Sequence, residues 1–139
     1  MRDILLNRWR EVGDKIVALA EEFPDEAFDE RPAQGVRSFA DQLRHVAFWN
    51  DYAGKTLRRE EADGDANELP AASYPRKAEV VQVLKASFDG VRTALAANVN
   101  DADSSALDTV TSFVEHNGEH YGQLVMYYRM RGMVPPASR

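Results

Sequence analysis

The segment EHNGEHYGQLVMYYRMR, residues 115–131, contains two of the three histidines in this chain of 139 residues. His116 and His120 are four positions apart, so on a helix they project from one face with Cβ atoms about 5–6 Å apart. Two imidazoles at that separation can both bind one divalent cation at about 2.0–2.1 Å. The third histidine, His45, lies on another predicted helix. The function of the protein therefore depends on whether the three rings meet in the fold.

Around this segment, apolar residues recur every three or four positions in four stretches, which predicts four amphipathic helices. The predicted helices cover residues 3–22, 38–59, 75–99 and 107–131. No segment alternates with the period of two that a half-buried strand requires. Helices of some twenty residues, each about 30 Å long, predict an all-α fold, in which residues 1–139 form a four-helix bundle as a single domain.

Local signals mark the ends of these helices. Ser38 is a good N-cap, and Asp41 stands where a capping box places its carboxyl group. Pro75 is tolerated in a first turn because its missing N–H would have no partner there, and Gly132 is typical of the residue that follows a helix. Residues 60–74 are rich in Glu, Asp, Ala, Gly and Pro, which predicts a mobile surface loop.

The charge and hydropathy of the chain limit its partners. A net charge of −6 argues against general nucleic-acid binding, since a phosphate backbone favours a basic surface. No stretch approaches the roughly 18 consecutive apolar residues of a membrane-spanning helix, and charges interrupt the N-terminus too early for a signal peptide. We therefore expect a cytoplasmic protein that binds neither nucleic acid nor membrane.

The chain has no cysteine. Its absence excludes disulfides, thiolate nucleophiles, cysteine-based zinc sites and iron–sulfur clusters. A metal must therefore be held by histidine and oxygen ligands. Any thiol chemistry must use a thiol that comes from outside the chain.

Spacing alone leaves two interpretations of the three histidines open. As a metal site, three neutral imidazoles suit zinc, nickel, cobalt, copper or ferrous iron and leave at least one position free, as catalytic sites do. As ordinary surface or core residues they need no ligand, since an i, i+4 pair arises by chance in roughly a few per cent of such chains. The metalloprotease motif HExxH is absent, because Asn117 follows His116.

Other prominent side chains are predicted to be structural. Glu115 and Glu119 flank the histidines, but each residue of a helix turns by about 100°, so we expect both to face solvent or to support the ligands indirectly. Five aromatic residues lie at core spacing and are expected to pack in the core rather than to form a substrate box: Trp9, Phe39, Trp49, Phe88 and Phe113. No catalytic residue stands out beyond the histidines.

Two segments resemble DinB-like proteins. In residues 116–139, HNGEHYGQLVMYYRMRGMVPPASR, the two histidines precede Gly-Gln-Leu, a hydrophobic run and an Arg-x-x-Gly-x-x-Pro-Pro tail, as at the end of DinB-like proteins. Residues 38–50, SFADQLRHVAFWN, resemble the second helix of that family, which supplies the remaining histidine. The order of the predicted helices is similar over the whole chain.

The resemblance implies a four-helix bundle with an up-down-down-up helix order, commonly homodimeric, in which three histidines hold a divalent metal. Carried over to this sequence, the ligands are His45, His116 and His120, and zinc or nickel is the favoured metal. Characterised relatives include enzymes that transfer or use a low-molecular-weight thiol such as bacillithiol or mycothiol. Many other members have no established activity.

We therefore predict a metal-dependent enzyme with thiol S-transferase-like chemistry, in which an external thiol attacks a small electrophilic substrate near the second and fourth helices. Two alternatives remain open: a metal-dependent hydrolase, and a dimeric stress-response protein that binds a metal or a small ligand without turnover. No residue of the sequence separates these three functions.

Overall fold

The computed structural model describes residues 1–139 and consists of helices and turns. The four α-helices are α1 (Arg2–Glu22), α2 (Phe39–Leu57), α3 (Lys77–Asn98) and α4 (Ser104–Met130). Short 3₁₀ helices lie at Asp25–Ala27 and Pro136–Ser138, and there is no β-strand. The predicted all-α four-helix bundle is confirmed. None of the helices is both long and apolar enough to cross a membrane.

Helices α1 and α2 each pack against both α3 and α4. The Arg2 side chain donates a hydrogen bond to the carbonyl oxygen of Val99, so the start of α1 lies beside the end of α3. The Tyr128 hydroxyl donates to the carbonyl oxygen of Leu19 at 2.7 Å, so α1 and α4 end side by side. Phe39, at the start of α2, lies against the ring of Tyr128. The up-down-down-up order stays a prediction, and these contacts between helix ends support it.

Buried side chains from all four helices form one hydrophobic core. At one end of it, the rings of Phe23 and Phe39 are stacked with centroids 3.9 Å apart. Nearer the other end, the indole N–H of Trp9 donates to the carbonyl oxygen of Phe88 at 3.0 Å and joins α1 to α3. The Phe88 ring also lies only 2.9 Å from where a Cβ of Gly13 would be. The close approach of α1 and α3 therefore requires a glycine at that position.

The start of α2 follows the prediction only in part. Ser38 is the N-cap, and its hydroxyl oxygen accepts the backbone N–H of Asp41 at 3.0 Å, as predicted. The prediction of a capping box is wrong, because the Asp41 carboxylate accepts hydrogen bonds from Arg31 at 2.6 Å and Arg44 at 2.9 Å instead of one from the backbone N–H of Ser38. Charge-assisted bonds to two guanidinium groups are stronger than a bond to a neutral backbone N–H.

The starts of α3 and α4 also differ from the prediction. Pro75 lies outside α3, because the Glu79 carboxylate accepts the backbone N–H of the N-cap Arg76 at 3.1 Å and the helix begins two residues after Pro75, at Lys77. α4 begins at Ser104 rather than near Leu107, because the Asp103 carboxylate caps the first turn. In both places a side-chain carboxylate satisfies an N–H group that the helix itself leaves without a partner.

The end of α4 is as predicted. Gly132 has a φ of +70°, which glycine adopts without strain. The N–H of Gly132 donates to the carbonyl oxygen of Arg129, and that of Met133 donates to the carbonyl oxygen of Tyr128 at 2.9 Å. This pair of bonds is a Schellman motif, and it ends the helix.

Residues 60–74 form no helix or strand, as predicted, but they are held along α2. The Arg44 guanidinium donates to the carbonyl oxygen of Tyr74 at 2.8 Å, and the indole N–H of Trp49 donates to the side-chain oxygen of Asn67 at 2.9 Å. The mobility of this loop stays a prediction. Its contacts place residues 64–69 over the half of α2 that contains His45.

Candidate metal centre

The three histidines meet between α2 and α4. His45 lies in the middle of α2, and His116 and His120 lie one turn apart on α4. The Nε2 atom of His116 is 3.2 Å from that of His45 and 3.1 Å from that of His120. The ligand atoms of all three residues lie within 4.8 Å of one another, close enough to hold one metal ion.

The spacing of these nitrogen atoms fits a cation. If each Nε2 is about 2.0–2.1 Å from a common point, separations of 3.1–3.2 Å correspond to angles of about 100° at that point. This value lies between the octahedral and the tetrahedral angle. Three protein ligands would leave at least one position of the cation open to another ligand.

Neighbouring groups orient two of the three rings. The Nδ1–H of His45 donates to the backbone carbonyl oxygen of Asn67 at 2.8 Å, and that of His120 donates to the side-chain oxygen of Gln42 at 2.8 Å. Because a carbonyl oxygen can only accept, the proton of each neutral ring lies on Nδ1 and its Nε2 lone pair is free. Both lone pairs point at the Nε2 of His116. The Nε2–H of a neutral His116 can serve only one of them, whereas a cation among the three atoms would serve all, as in metal-binding histidines.

The electrostatic surroundings keep the rings neutral. Burial, together with the nearby His116 and His45, lowers the pKa of His120 to about 4. Burial also lowers the pKa of His45 and of His116 below the usual histidine value. The positive charge of Arg37 acts in the same direction on all three rings. At neutral pH the imidazoles are therefore in the deprotonated form that binds metals.

An ion pair lies beside the histidines. The Nε of Arg37 donates to the carboxylate of Glu68, which belongs to the loop over α2, and each side chain is about a third exposed. The backbone carbonyl oxygen of Arg37 accepts the Tyr127 hydroxyl, which ties this residue to α4. The guanidinium thus brings a positive charge to the edge of the site, with its terminal amino groups bonded to no other residue.

Aromatic side chains form the other edge of the site. The ring of Phe113 lies 5.9 Å from that of His116, and the ring of Trp49 lies 6.5 Å from it. Trp49 also contacts Phe113 and Tyr52, with ring centroids 6.2 and 5.1 Å away. Phe113 is half-buried and packs against the hydrophobic core, as predicted, whereas Trp49 is half-buried and is not part of it; both rings border the histidines.

The remaining sequence predictions for this region agree with the structure. The other three aromatic residues of that group, Trp9, Phe39 and Phe88, are buried in the core. Glu115 and Glu119 are exposed and lie outside the histidine cluster, although the charge of Glu119 raises the pKa of His116.

Two residues that orient the rings were not predicted. Gln42 carries a weak signal, since it precedes His45 by three positions and so shares a helix face with it. Asn67 carries none, because it acts through its backbone carbonyl, which every residue has. Only its φ of +59° distinguishes it, and that value appears only in the folded chain.

A comparison with protein-family models places the chain in a family. The model of the DinB superfamily matches residues 8–124, which is most of the chain and includes all three histidines. The protein therefore belongs to the DinB superfamily, as its C-terminal segment and second helix predicted. No curated protein matches the sequence.

Stability of the metal-free protein is expected to fall between about pH 6.5 and pH 4. In this window the unfolded chain protonates His120, whereas the folded chain, with a pKa of about 4, does not. The free energy of unfolding should therefore decrease by about 2–3 kcal/mol as the pH drops. We would measure it by urea unfolding of the wild type and of His120→Gln. The variant should show a flatter pH profile, and equal slopes would contradict the assignment.

Proposed function

We propose that this protein is a divalent-metal-dependent enzyme whose metal is held by the Nε2 atoms of His45, His116 and His120. The observation that carries the proposal is the convergence of the three Nε2 atoms, with separations of 3.1 and 3.2 Å from His116. Membership of the DinB superfamily supports it. Zinc or nickel suits three neutral imidazoles.

The donor set determines what this site can do. A divalent cation bound there would act as a Lewis acid that lowers the pKa of a coordinated thiol or water. The three neutral ligands contribute no negative charge, so the site keeps its full positive charge. Arg37 adds a further positive charge at the edge of the site. Both features favour an anionic ligand at the open position.

Thiol transfer to a small electrophile is the reaction that these residues support best. The thiol must come from outside, since the chain has no cysteine. Its sulfur would form a bond to an electrophilic carbon of the substrate while a leaving group such as a halide departs from that carbon with the bonding electrons, and the thiol proton would pass to solvent. Trp49 and Phe113 offer apolar surface for the substrate, and the free amino groups of Arg37 can bind a carboxylate on either reactant.

A hydrolase is less well supported. Hydrolytic metal sites commonly use a carboxylate as general base, and the histidine cluster includes none. The nearby acidic side chain of Glu68 is already bound by Arg37. The positioning of a water molecule would therefore depend on the ligands alone.

We also propose that the protein is a cytoplasmic homodimer. Met126 and Met130, one turn apart on α4, are 56% and 57% exposed. An apolar pair of this kind on one helix face would be covered by a second subunit. Sedimentation of the wild type and of the Met126→Lys variant would test this, since a dimer that uses this face should dissociate in the variant.

The experiment for the proposed function has two stages. Protein purified without an affinity tag is first analysed for bound metal, with about one equivalent per chain expected. The metal-loaded protein is then incubated with bacillithiol, mycothiol or glutathione and a model electrophile such as a chlorinated nitrobenzene. His45→Ala serves as the inactive variant, and Glu119→Gln, which is altered outside the cluster, as the matched control.

The expected result is conjugation by the wild type and by Glu119→Gln but not by His45→Ala. If the wild type binds metal but conjugates no faster than His45→Ala, the transferase function is wrong and a binding role remains. If neither purified nor metal-supplemented wild type holds metal in stoichiometric amount, the metal site itself is wrong.

A further inference from the structure

Two buried side-chain atoms lack a hydrogen-bond partner, and they belong to neighbouring residues of α4. They are Nδ1 of His116 and Oδ1 of Asn117. Asn117 is completely buried, although it is an amide on a helix face between two metal-ligand candidates. Leaving a buried polar atom unpaired costs about 1–3 kcal/mol. Two such atoms on consecutive residues, one of them on a candidate ligand, therefore require an explanation.

A chain of hydrogen bonds runs from α3 through α2 to Asn117. The Ser87 hydroxyl donates to the backbone carbonyl oxygen of Leu84 at 2.7 Å. The amide nitrogen of Asn50 donates to the Ser87 oxygen at 3.2 Å, and the amide nitrogen of Asn117 donates to the Asn50 oxygen at 3.0 Å. The chain thus connects three helices through side chains.

The direction of every donor in this chain is determined at its far end. The carbonyl of Leu84 can only accept, so the single proton of Ser87 is used there and the Ser87 oxygen must accept from Asn50. The side-chain oxygen of Asn50 therefore faces Asn117, and the amino group of Asn117 must donate the hydrogen bond to it. The oxygen of Asn117 is therefore the atom left facing away from Asn50. It is an acceptor without a donor.

His116, in turn, has a ring nitrogen, Nδ1, that lacks a hydrogen-bond acceptor. Histidines that bind metals almost always donate their second ring N–H to an acceptor, and His45 and His120 do so to Asn67 and Gln42. His116 alone lacks such a partner.

We propose that Asn117 is a positioning residue for the metal site: its side-chain oxygen accepts the Nδ1–H of His116 when the Nε2 of that ring is bound to metal. The relay from Leu84 through Ser87, Asn50 and Asn117 then fixes the tautomer of the third ligand. The role rests on the proposed metal site, because in the metal-free protein the Nε2 of His116 faces the Nε2 lone pairs of His45 and His120 and can donate its own proton to one of them. Helix α3, which supplies no ligand, thereby takes part in the site.

The alternative is a polar cluster that stabilises the bundle and has no influence on His116. The free energy of unfolding cannot distinguish a positioning role from a purely structural one, since loss of a buried hydrogen bond destabilises the protein in both cases. Metal affinity and the tautomer of His116 do distinguish them.

Zinc affinity is measured by chelator competition for the wild type, Asn117→Leu, Asn117→Asp and a matched control. Asn117→Leu preserves the volume but removes the acceptor, and we expect it to weaken zinc binding about 10–100-fold. Asn117→Asp restores an acceptor and should stay within about tenfold of the wild type. Tyr128→Phe, the control, removes the buried hydrogen bond to Leu19 and should lower stability while leaving zinc affinity unchanged.

The tautomer is measured by NMR of protein with ¹⁵N-labelled histidine, in the metal-free and zinc-loaded forms. In the zinc-loaded wild type we expect a hydrogen-bonded Nδ1–H on His116 that exchanges slowly with solvent, and in zinc-loaded Asn117→Leu the same proton should exchange faster. Ser87→Ala removes the hydroxyl at the far end of the relay and should produce a smaller change in the same NMR signal of His116. This second variant also serves if Asn117→Leu does not fold.

The outcomes separate the two proposals. If the wild type binds zinc but Asn117→Leu binds it equally well, the relay is wrong and the metal site stands. A proton on Nε2 of His116 in the zinc-loaded wild type also overturns the relay. If the wild type binds zinc and Asn117→Leu binds it about 10–100-fold more weakly, but the wild type conjugates no substrate, the relay stands and the proposed enzymatic function fails. If the wild type binds no metal, both proposals fail.

Discussion

Replacing His116 by alanine is expected to weaken zinc binding by at least about 100-fold. Loss of a group that only orients a ligand typically costs 10–100-fold in metal affinity, so loss of the ligand itself must cost more. His116 also occupies the central position, since its Nε2 is 3.2 Å from that of His45 and 3.1 Å from that of His120. The two remaining nitrogens would leave half of a tetrahedral site to water.

The weaker zinc binding of His116→Ala should also appear as a smaller stabilisation of the folded protein by zinc. A ligand at about 1,000 times its Kd stabilises the folded state by about 4 kcal/mol, so zinc should raise the melting temperature of the wild type markedly and that of His116→Ala very little. Glu119→Ala is the control, because this residue lies on the same helix but outside the cluster. A zinc-dependent stabilisation of His116→Ala equal to that of the wild type would contradict the site.

Replacing Phe39 by alanine is expected to lower the free energy of unfolding by about 3–5 kcal/mol, as truncation of a buried aromatic ring does. Phe39 is fully buried at the start of α2. Its ring is stacked on Phe23 at 3.9 Å and also contacts Phe28, Tyr127 and Tyr128 at centroid distances of 5.4–6.3 Å. The cavity would therefore open where helices α1, α2 and α4 meet.

Urea unfolding at neutral pH measures this loss, and Phe48→Ala provides the matched control. Phe48 is the same residue type on the same helix but only half-buried, so its truncation should cost about 1 kcal/mol. Similar losses in the two variants would show that the stacked cluster does not contribute the extra stability that its burial implies.

The helices and the ligand candidates were predictable from sequence because both depend on local spacing. Apolar residues at every third or fourth position define a helix face wherever the helix packs. The four-position interval likewise puts His116 and His120 on one face without reference to the rest of the fold. Assigning His45 to the same site needed the resemblance to the DinB superfamily, since nothing local connects it with α4.

The starts of helices were less predictable because several side chains compete for the same backbone groups. Asp41 has the position of a capping-box residue, yet two arginines engage its carboxylate. Conversely, Asp103 starts α4 earlier than the apolar pattern indicates. Which carboxylate caps a helix depends on which cations lie nearby, and that is decided by the packing of distant segments.

The sequence by itself determined the fold class, the family and the three residues that can hold a metal. Only the tertiary structure decided how those residues are oriented, through the carbonyl oxygen of Asn67 for His45 and the side-chain oxygen of Gln42 for His120. The physical reason is that a backbone carbonyl is the same at every position, and a buried amide can turn either way. Such groups acquire a specific role only when folding places one particular donor opposite them.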